Sequence, residues 1–227
     1  MAKTKKTTIG HSLPLKTKND NVISGGYNEG DFGENYWLTP DKYGNRRIDR
    51  DATPIVKLVG SLVHFSILPA APDILDIGAG PGNMAQCFVD AGYKCAGCEY
   101  SHSGIRLAKE HFGKTLSFCD LRESIPYSDG SFDFAYCVGV MSMIPRSRIP
   151  VAFSEMRRIL RVGGVLLISL LNPLETVKDP HLTSLPYEEW RRLLGDAGLD
   201  DVTSLWPPQR HGIGMANEFC GIFRKGT

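Results

Sequence analysis

The 227-residue chain carries 26 basic and 25 acidic side chains, a net charge of +1, and 42% apolar residues. This balance describes a globular domain built round one core rather than a disordered or strongly nucleic-acid-steered protein. No apolar run approaches the ~20 residues of a membrane-spanning helix and the basic N-terminus lacks the hydrophobic segment of a secretory signal, so a cytoplasmic location without a membrane partner is expected.

The elements read as follows along the chain. From Met1 to Ser24 the sequence is rich in Lys and Thr without periodic hydrophobicity, which predicts a flexible basic tail. Residues 25–50 mix Gly, Asp, Asn and Arg with Tyr27, Phe32, Tyr36, Trp37 and Tyr43, a composition suited to an aromatic covering segment. Residues 51–227 read as a single domain. Asp51 followed by Pro54 marks a helix start, and apolar residues recur through Leu68.

Strand-like runs at Ile74–Ile77, Lys94–Glu99, Leu116–Cys119, Phe132–Val138 and Val165–Leu171 then alternate with helices. The helices are Asn83–Asp90 closed by Gly92, Ser103–His111 closed by Gly113, and Pro150–Leu160 closed by Gly163 and Gly164. A further helix, Tyr187–Ala197, precedes two strands, Val202–Trp206 and Glu218–Phe223. The alternation predicts right-handed βαβ units and an α/β fold: a doubly wound, mostly parallel seven-stranded sheet with helices on both faces.

Six cysteines in a chain without a secretory signal read as reduced. Cys95 and Cys98 form a CxxC pair, but on a strand residues three apart face opposite sides, so the pair cannot readily hold one metal. No His and carboxylate cluster has ligand spacing, and no metal is expected.

Ligands of parallel sheets bind at the loops leaving the strands' carboxyl ends, and the first such loop is DILDIGAGPG, Asp73 to Gly82. Glycines there allow close backbone approach, and free N–H groups at the following helix start attract anions. A dinucleotide fingerprint, GxGxxG, places its third glycine at position 83, which is Asn83; here the third glycine is Gly82. Asp76 suits a cationic group such as a ligand ammonium and has no use for a pyrophosphate. Both features disfavour a nicotinamide-dependent oxidoreductase.

With this spacing the loop resembles that of the class I, seven-stranded, Rossmann-like S-adenosylmethionine-dependent methyltransferases. The resemblance runs from about Asp51 to Phe223 through CAGCEYS, FCDLRESIPYSDGSFDFAYCVGVM and RRILRVGGVLLIS, the last resembling the small-molecule branch. It implies S-adenosylmethionine as methyl donor and S-adenosylhomocysteine as product. Asp76, Gly78, Ala79, Gly80 and Gly82 then meet the methionine part; Glu99, with Tyr100 and Ser101 after it, meets the ribose; and Asp120 and Leu121 meet the adenine. Val138 completes the cofactor set. An ionised Glu99 can accept both vicinal hydroxyl protons, and Asp120 can accept from the exocyclic amine. Asp133 reads as structural, and Arg157, Arg158 and Arg161 as a solvated helix face and its C-terminal turn.

Transfer from a sulfonium is an in-line displacement that depends on positioning and exclusion of water, with a general base required only for acceptors such as hydroxyls. The acceptor pocket is expected beneath Tyr36 and Trp37, beside Ser142 and Met143 after the fourth strand, and under the loops after Leu171 and in the final hairpin. Related small-molecule enzymes often carry His or a charged residue at the place of Ser142 or Met143. His181 and His211 are the candidate bases, since imidazole titrates near neutral pH; each also reads as an exposed loop histidine. A small-molecule acceptor is expected. DNA is disfavoured because GVMSMIP stands where amino-methylating DNA enzymes resemble one another in an Asn/Asp-Pro-Pro-aromatic motif. The Lys-rich tail leaves an RNA or protein acceptor open, and a non-catalytic cofactor-binding subunit is the alternative function.

Overall fold

The computed structural model describes residues 27, 29–41, 44–171, 182–203 and 218–226. The expected basic tail, Tyr43, His181, His211 and Ser204–Trp206 lie outside these residues. The described elements are six α-helices and seven strands: α1 Glu34–Leu38, α2 Thr53–His64, β1 Asp73–Ile77, α3 Asn83–Asp90, β2 Lys94–Glu99, α4 His102–Phe112, β3 Ser117–Phe118, β4 Phe132–Cys137, α5 Ile149–Ile159, β5 Leu160–Leu171, α6 Tyr187–Asp196, β6 Leu199–Asp201 and β7 Glu218–Lys225. They build one seven-stranded sheet in the order β3-β2-β1-β4-β5-β7-β6. Only β7 runs antiparallel to its neighbours.

Strand alternation divides the core between the two faces. Leu75 and Ile77 of β1 pack with Phe153 and Met156 of α5 and Trp190 of α6. Ile74 of the same strand packs on the other face with Ile55, Leu58 and Val59 of α2 and Phe88 of α3. The CxxC thiols follow the same rule: buried Cys98 joins the first cluster and half-buried Cys95 packs against the second. The doubly wound α/β expectation therefore holds.

Several boundaries differ from the sequence expectation. The first helix ends at His64, four residues before Leu68, because the chain reverses at Ser66, whose φ is +56°. The third strand shrinks to Ser117–Phe118, and a strand, β6, stands at Leu199–Asp201, ahead of the expected Val202–Trp206, most of which lies outside the described residues. Gly163 and Gly164 do not close a helix. Strand β5 begins at Leu160, directly after α5, and the two glycines sit inside it where the register with β4 shifts between Phe132 and Phe134. A helix stop and a strand irregularity both favour a positive φ, here +79° at Gly163, so one residue type marks either.

Two of the three arginines expected on a solvated face, Arg158 and Arg161, are structural instead. Arg161 lies on β5, where it pairs with Asp73 at 2.9 Å and with Asp133, and Asp133 also accepts the Asp73 amide at 2.9 Å. This ties the starts of β1, β4 and β5. Arg158 donates to Glu155 and Asp129 and to the carbonyls of Ile125 and Tyr127, all within 2.8 Å. It thereby pins the segment between β3 and β4 to α5. Arg158→Ala removes donors from these two carbonyls and two carboxylates. It is expected to lower stability by about 1–3 kcal/mol, read as a lower urea midpoint at unchanged slope.

Candidate functional site

Because β1 pairs with both β2 and β4, the chain winds outward from β1 to β3 and then returns to β4, which opens a crevice above the β1 and β4 ends. A cavity of about 740 Å³, counted to its open mouth, lies there. Its walls come from the ends of four strands: Gly78 after β1, Glu99 and Tyr100 at β2, Cys119 to Arg122 after β3, and Val138 to Val140 with Met143 and Ile144 after β4. Tyr27, Phe32, Tyr36, Trp37 and Arg50 cover it.

The cover is fastened at several points. The Ser101 hydroxyl donates to the Phe32 carbonyl at 2.7 Å and in turn accepts the Gly104 amide, capping α4. Trp37 Nε1 donates to the same Phe32 carbonyl, and Arg47 stacks on the Tyr36 ring while donating to the Tyr36 carbonyl. Glu34 pairs with Arg106 of α4, and the Asn83 side chain donates to the Arg50 carbonyl.

Two glycines of the β1 loop are fixed by space as well as by φ. A Cβ on Gly78, at φ +74°, would stand 2.4 Å from Val140 Cγ2, and one on Gly80, at φ +53°, 2.7 Å from the Trp37 ring. The loop's amides do not match the expected anion cradle. Gly78 N and Ala79 N donate to the Cys98 carbonyl, Gly80 N to Glu99 and Gly82 N to the Ala79 carbonyl, and Pro81 has no N–H. All four are satisfied inside the protein.

Glu99 is buried, and its carboxylate accepts the amides of Gly80 at 2.7 Å, Tyr100 at 2.9 Å and Ser101 at 2.8 Å. Burial raises its pKa, with the three amides working in the other direction. Three amides use three of about four acceptor positions of a carboxylate, so room remains for one ligand hydroxyl proton rather than the expected two.

Asp76 does not line the cavity. Strand alternation turns it, like Ile74, towards α3, where its carboxyl meets the Tyr136 hydroxyl and the Ala85 amide in the first turn of the helix. Oδ2 is buried and has no partner among the described residues. Ala79, Gly80, Gly82, Ser101 and Ser142 also stand behind the lining, whereas Gly78, Glu99, Tyr100, Asp120, Leu121, Val138, Tyr36, Trp37 and Met143 come together around it. Ser142 is buried, with its hydroxyl unpartnered among the described residues and its carbonyl accepting the Thr183 amide.

Sequence reasoning missed Arg50, Arg122 and Val140. Arg122, two residues after Asp120, carried a readable signal as a local countercharge. Burial works to raise the Asp120 pKa, but hydrogen bonds from Arg122 overcome it and hold the carboxyl below its ordinary value. Among the described residues no group of His, Cys, Asp and Glu could hold a metal, and no helix is long and apolar enough to cross a membrane.

Burial pushes the Asp76 carboxyl up to about 7, with Glu99 adding to the effect and Tyr136, the Ala85 amide and Lys114 opposing it. The folded protein therefore holds a proton there that the unfolded chain releases near pH 4, and stability falls as pH rises from about 4 to 7. Asp76→Asn abolishes this linkage. Its melting temperature relative to wild type is expected to climb across that window; a pH-independent difference would show that Asp76 ionises at its ordinary value.

The methyltransferase domain family matches residues 75–168 of the chain. "Probable methyltransferase ltbC" of Aspergillus luteorubrus is 29% identical over 41% of this chain and 38% of its own length. The malonyl-(acyl-carrier protein) O-methyltransferase of Erwinia pyrifoliae is 29% identical over 43% of this chain and 37% of its own length. The match thus spans less than two-fifths of these curated relatives. Among solved structures, the 1,6-didemethyltoxoflavin-N1-methyltransferase of Burkholderia thailandensis aligns with a TM-score of 0.62 at 18% identity, over 88% of this chain and 87% of that one. The chain therefore has the class I, Rossmann-like fold of these methyltransferases, and residues 75–168 within it match the methyltransferase domain family.

Proposed function

We propose that the chain transfers a methyl group from S-adenosylmethionine to a small-molecule acceptor and releases S-adenosylhomocysteine. The observation that carries this reading is the internal satisfaction of the glycine loop. Its four amides donate within the protein, and the Ala85 amide in the first turn of α3 meets the Asp76 carboxyl. A pyrophosphate needs free amides at that place. A sulfonium tail needs only close backbone approach, which Gly78 and Gly80 provide.

In this reading Gly78, with Ala79, Gly80 and Gly82 behind it, shapes the bed of the methionine tail. Glu99 takes a ribose hydroxyl, and the wall from Asp120 to Arg122 stands beside the base. The bound donor supplies a methyl group on positively charged sulfur. The chain's own contribution is to hold the acceptor behind that methyl and keep water out. Phe32, Tyr36 and Trp37 do this from above, with Val140, Met143 and Ile144 forming the apolar side wall. His181 and His211 are the proposed bases for a hydroxyl, phenol or carbon acceptor; a neutral amine needs none. The B. thailandensis structure, which holds 1,6-didemethyltoxoflavin together with S-adenosylhomocysteine, supports a small-molecule acceptor.

Isothermal titration is expected to show binding of S-adenosylhomocysteine and none of NAD; binding of NAD alone would overturn the reading. Glu99→Gln keeps the shape but loses the charge, and should weaken S-adenosylhomocysteine at least tenfold, about 1.4 kcal/mol. Release of S-adenosylhomocysteine on incubation with fractionated metabolites tests the transfer itself.

A further inference from the structure

Four charged side chains line the cavity, and three of them are engaged inside the protein. Glu99 accepts three amides, and Asp120 is paired with Arg122 at 2.6 Å. The fourth, Arg50, has no hydrogen bond or ion pair from its side chain among the described residues. The acids beside it in the chain are taken elsewhere: Asp49 pairs with Arg46 at 2.7 Å, and Asp51 accepts the amide and the hydroxyl of Thr53. An unneutralised guanidinium on a cavity wall is a donor set waiting for an oxyanion.

Its place is fixed at both ends. The Arg50 carbonyl accepts the Asn83 side chain at the start of α3, at 2.6 Å, and Nη1 stands 3.2 Å from where a Cβ on Gly139 would lie, just after β4. The sheet order sets the ends of β3, β2, β1 and β4 side by side, so the guanidinium lies on the far side of the β1 loop from Glu99. A donor whose ribose meets Glu99 and whose sulfonium tail crosses the β1 loop brings the end of that tail, with its α-carboxylate, to β4. Backbone amides cannot receive this carboxylate in the loop, because those of Gly78, Ala79, Gly80 and Gly82 all donate within the protein. A carboxylate enclosed there without a partner would be costly.

We propose that Arg50 receives the α-carboxylate of the donor's methionine tail and makes the site select compounds that carry it. The inference rests on the donor reading given above and adds to it a charged contact supplied by the cover rather than by the glycine loop.

The test is isothermal titration of the full chain with S-adenosylhomocysteine and with decarboxylated S-adenosylhomocysteine, which differ only in the α-carboxylate. Wild type is expected to bind the carboxylated compound about tenfold more tightly or better, the scale of one charge-assisted hydrogen bond. Arg50→Gln keeps a polar side chain but loses the charge, and should lower that ratio by about threefold or more while leaving the affinity for the decarboxylated compound unchanged. Arg50→Lys keeps a point charge without the planar fork, and its ratio should fall between the two. Each ratio is read after a melting curve shows the variant folded, so a general loss of binding does not imitate the effect. A smaller preference in wild type, or a smaller change in Arg50→Gln, overturns the inference while leaving the donor reading standing. Failure of wild type to bind either compound overturns the donor reading and this inference with it.

Discussion

The Glu99 carboxylate, buried at the end of β2, accepts three backbone amides, one of which comes from the glycine loop of β1. A buried carboxylate without such partners would be costly, so the loop and the β2 end must stay in register for the charge to persist. Much of the site hangs from this point. Tyr100 and Ser101 follow Glu99 directly; Ser101 caps α4 and holds the Phe32 carbonyl of the cover, and Tyr100 receives Arg122 from the β3 end. The crevice formed by the strand order becomes a defined cavity because one acidic side chain joins two adjacent strand ends.

The second carboxylate of the region works in the opposite sense. Asp76 faces away from the cavity, under the first turn of α3, with one oxygen unpartnered among the described residues and Tyr136 against it. A helix start ordinarily offers its amides to an anionic ligand. Here an internal acidic group stands in that place, and the preceding loop amides are bonded as well. Two acidic residues thus take amides of this region inside the protein: Glu99 binds the Gly80 amide, and Asp76 sits at the Ala85 amide.

Hydrophobic periodicity made the sheet legible before the structure, because buried parallel strands and amphipathic helices are separate patterns even in a single sequence. Residues 74–77, 94–99 and 132–137 show it plainly. What could not be read was the destination of individual polar groups. Asp76 was assigned to a ligand from its place at a strand end, yet the alternation that sends Leu75 and Ile77 to one face and Ile74 to the other already implied that it points towards α3. The glycines at 163 and 164 were equally suited to end a helix or to bend a strand, and only the pairing of β4 with β5 decides between them. Arg158 and Arg161 resembled a helix face because their partners, Asp73, Asp133 and the carbonyls of Ile125 and Tyr127, are distant in sequence.

In the proposed reading, the donor and acceptor sides of the cavity are built from different materials, and this accounts for their unequal legibility. The donor side is assembled at strand ends, where backbone geometry dictates residue type: a Cβ has no room at Gly78 or Gly80, and an acid is needed to receive the amides around Glu99. The acceptor side is made by Tyr36 and Trp37 from a segment preceding the sheet and by Met143 and Ile144 from a short turn after β4. Those contacts are apolar packing on a polar frame, and packing tolerates many side chains of similar volume. The frame can therefore remain constant while its cover changes, so the cover segment is where substitutions can alter the acceptor without disturbing the Glu99 junction.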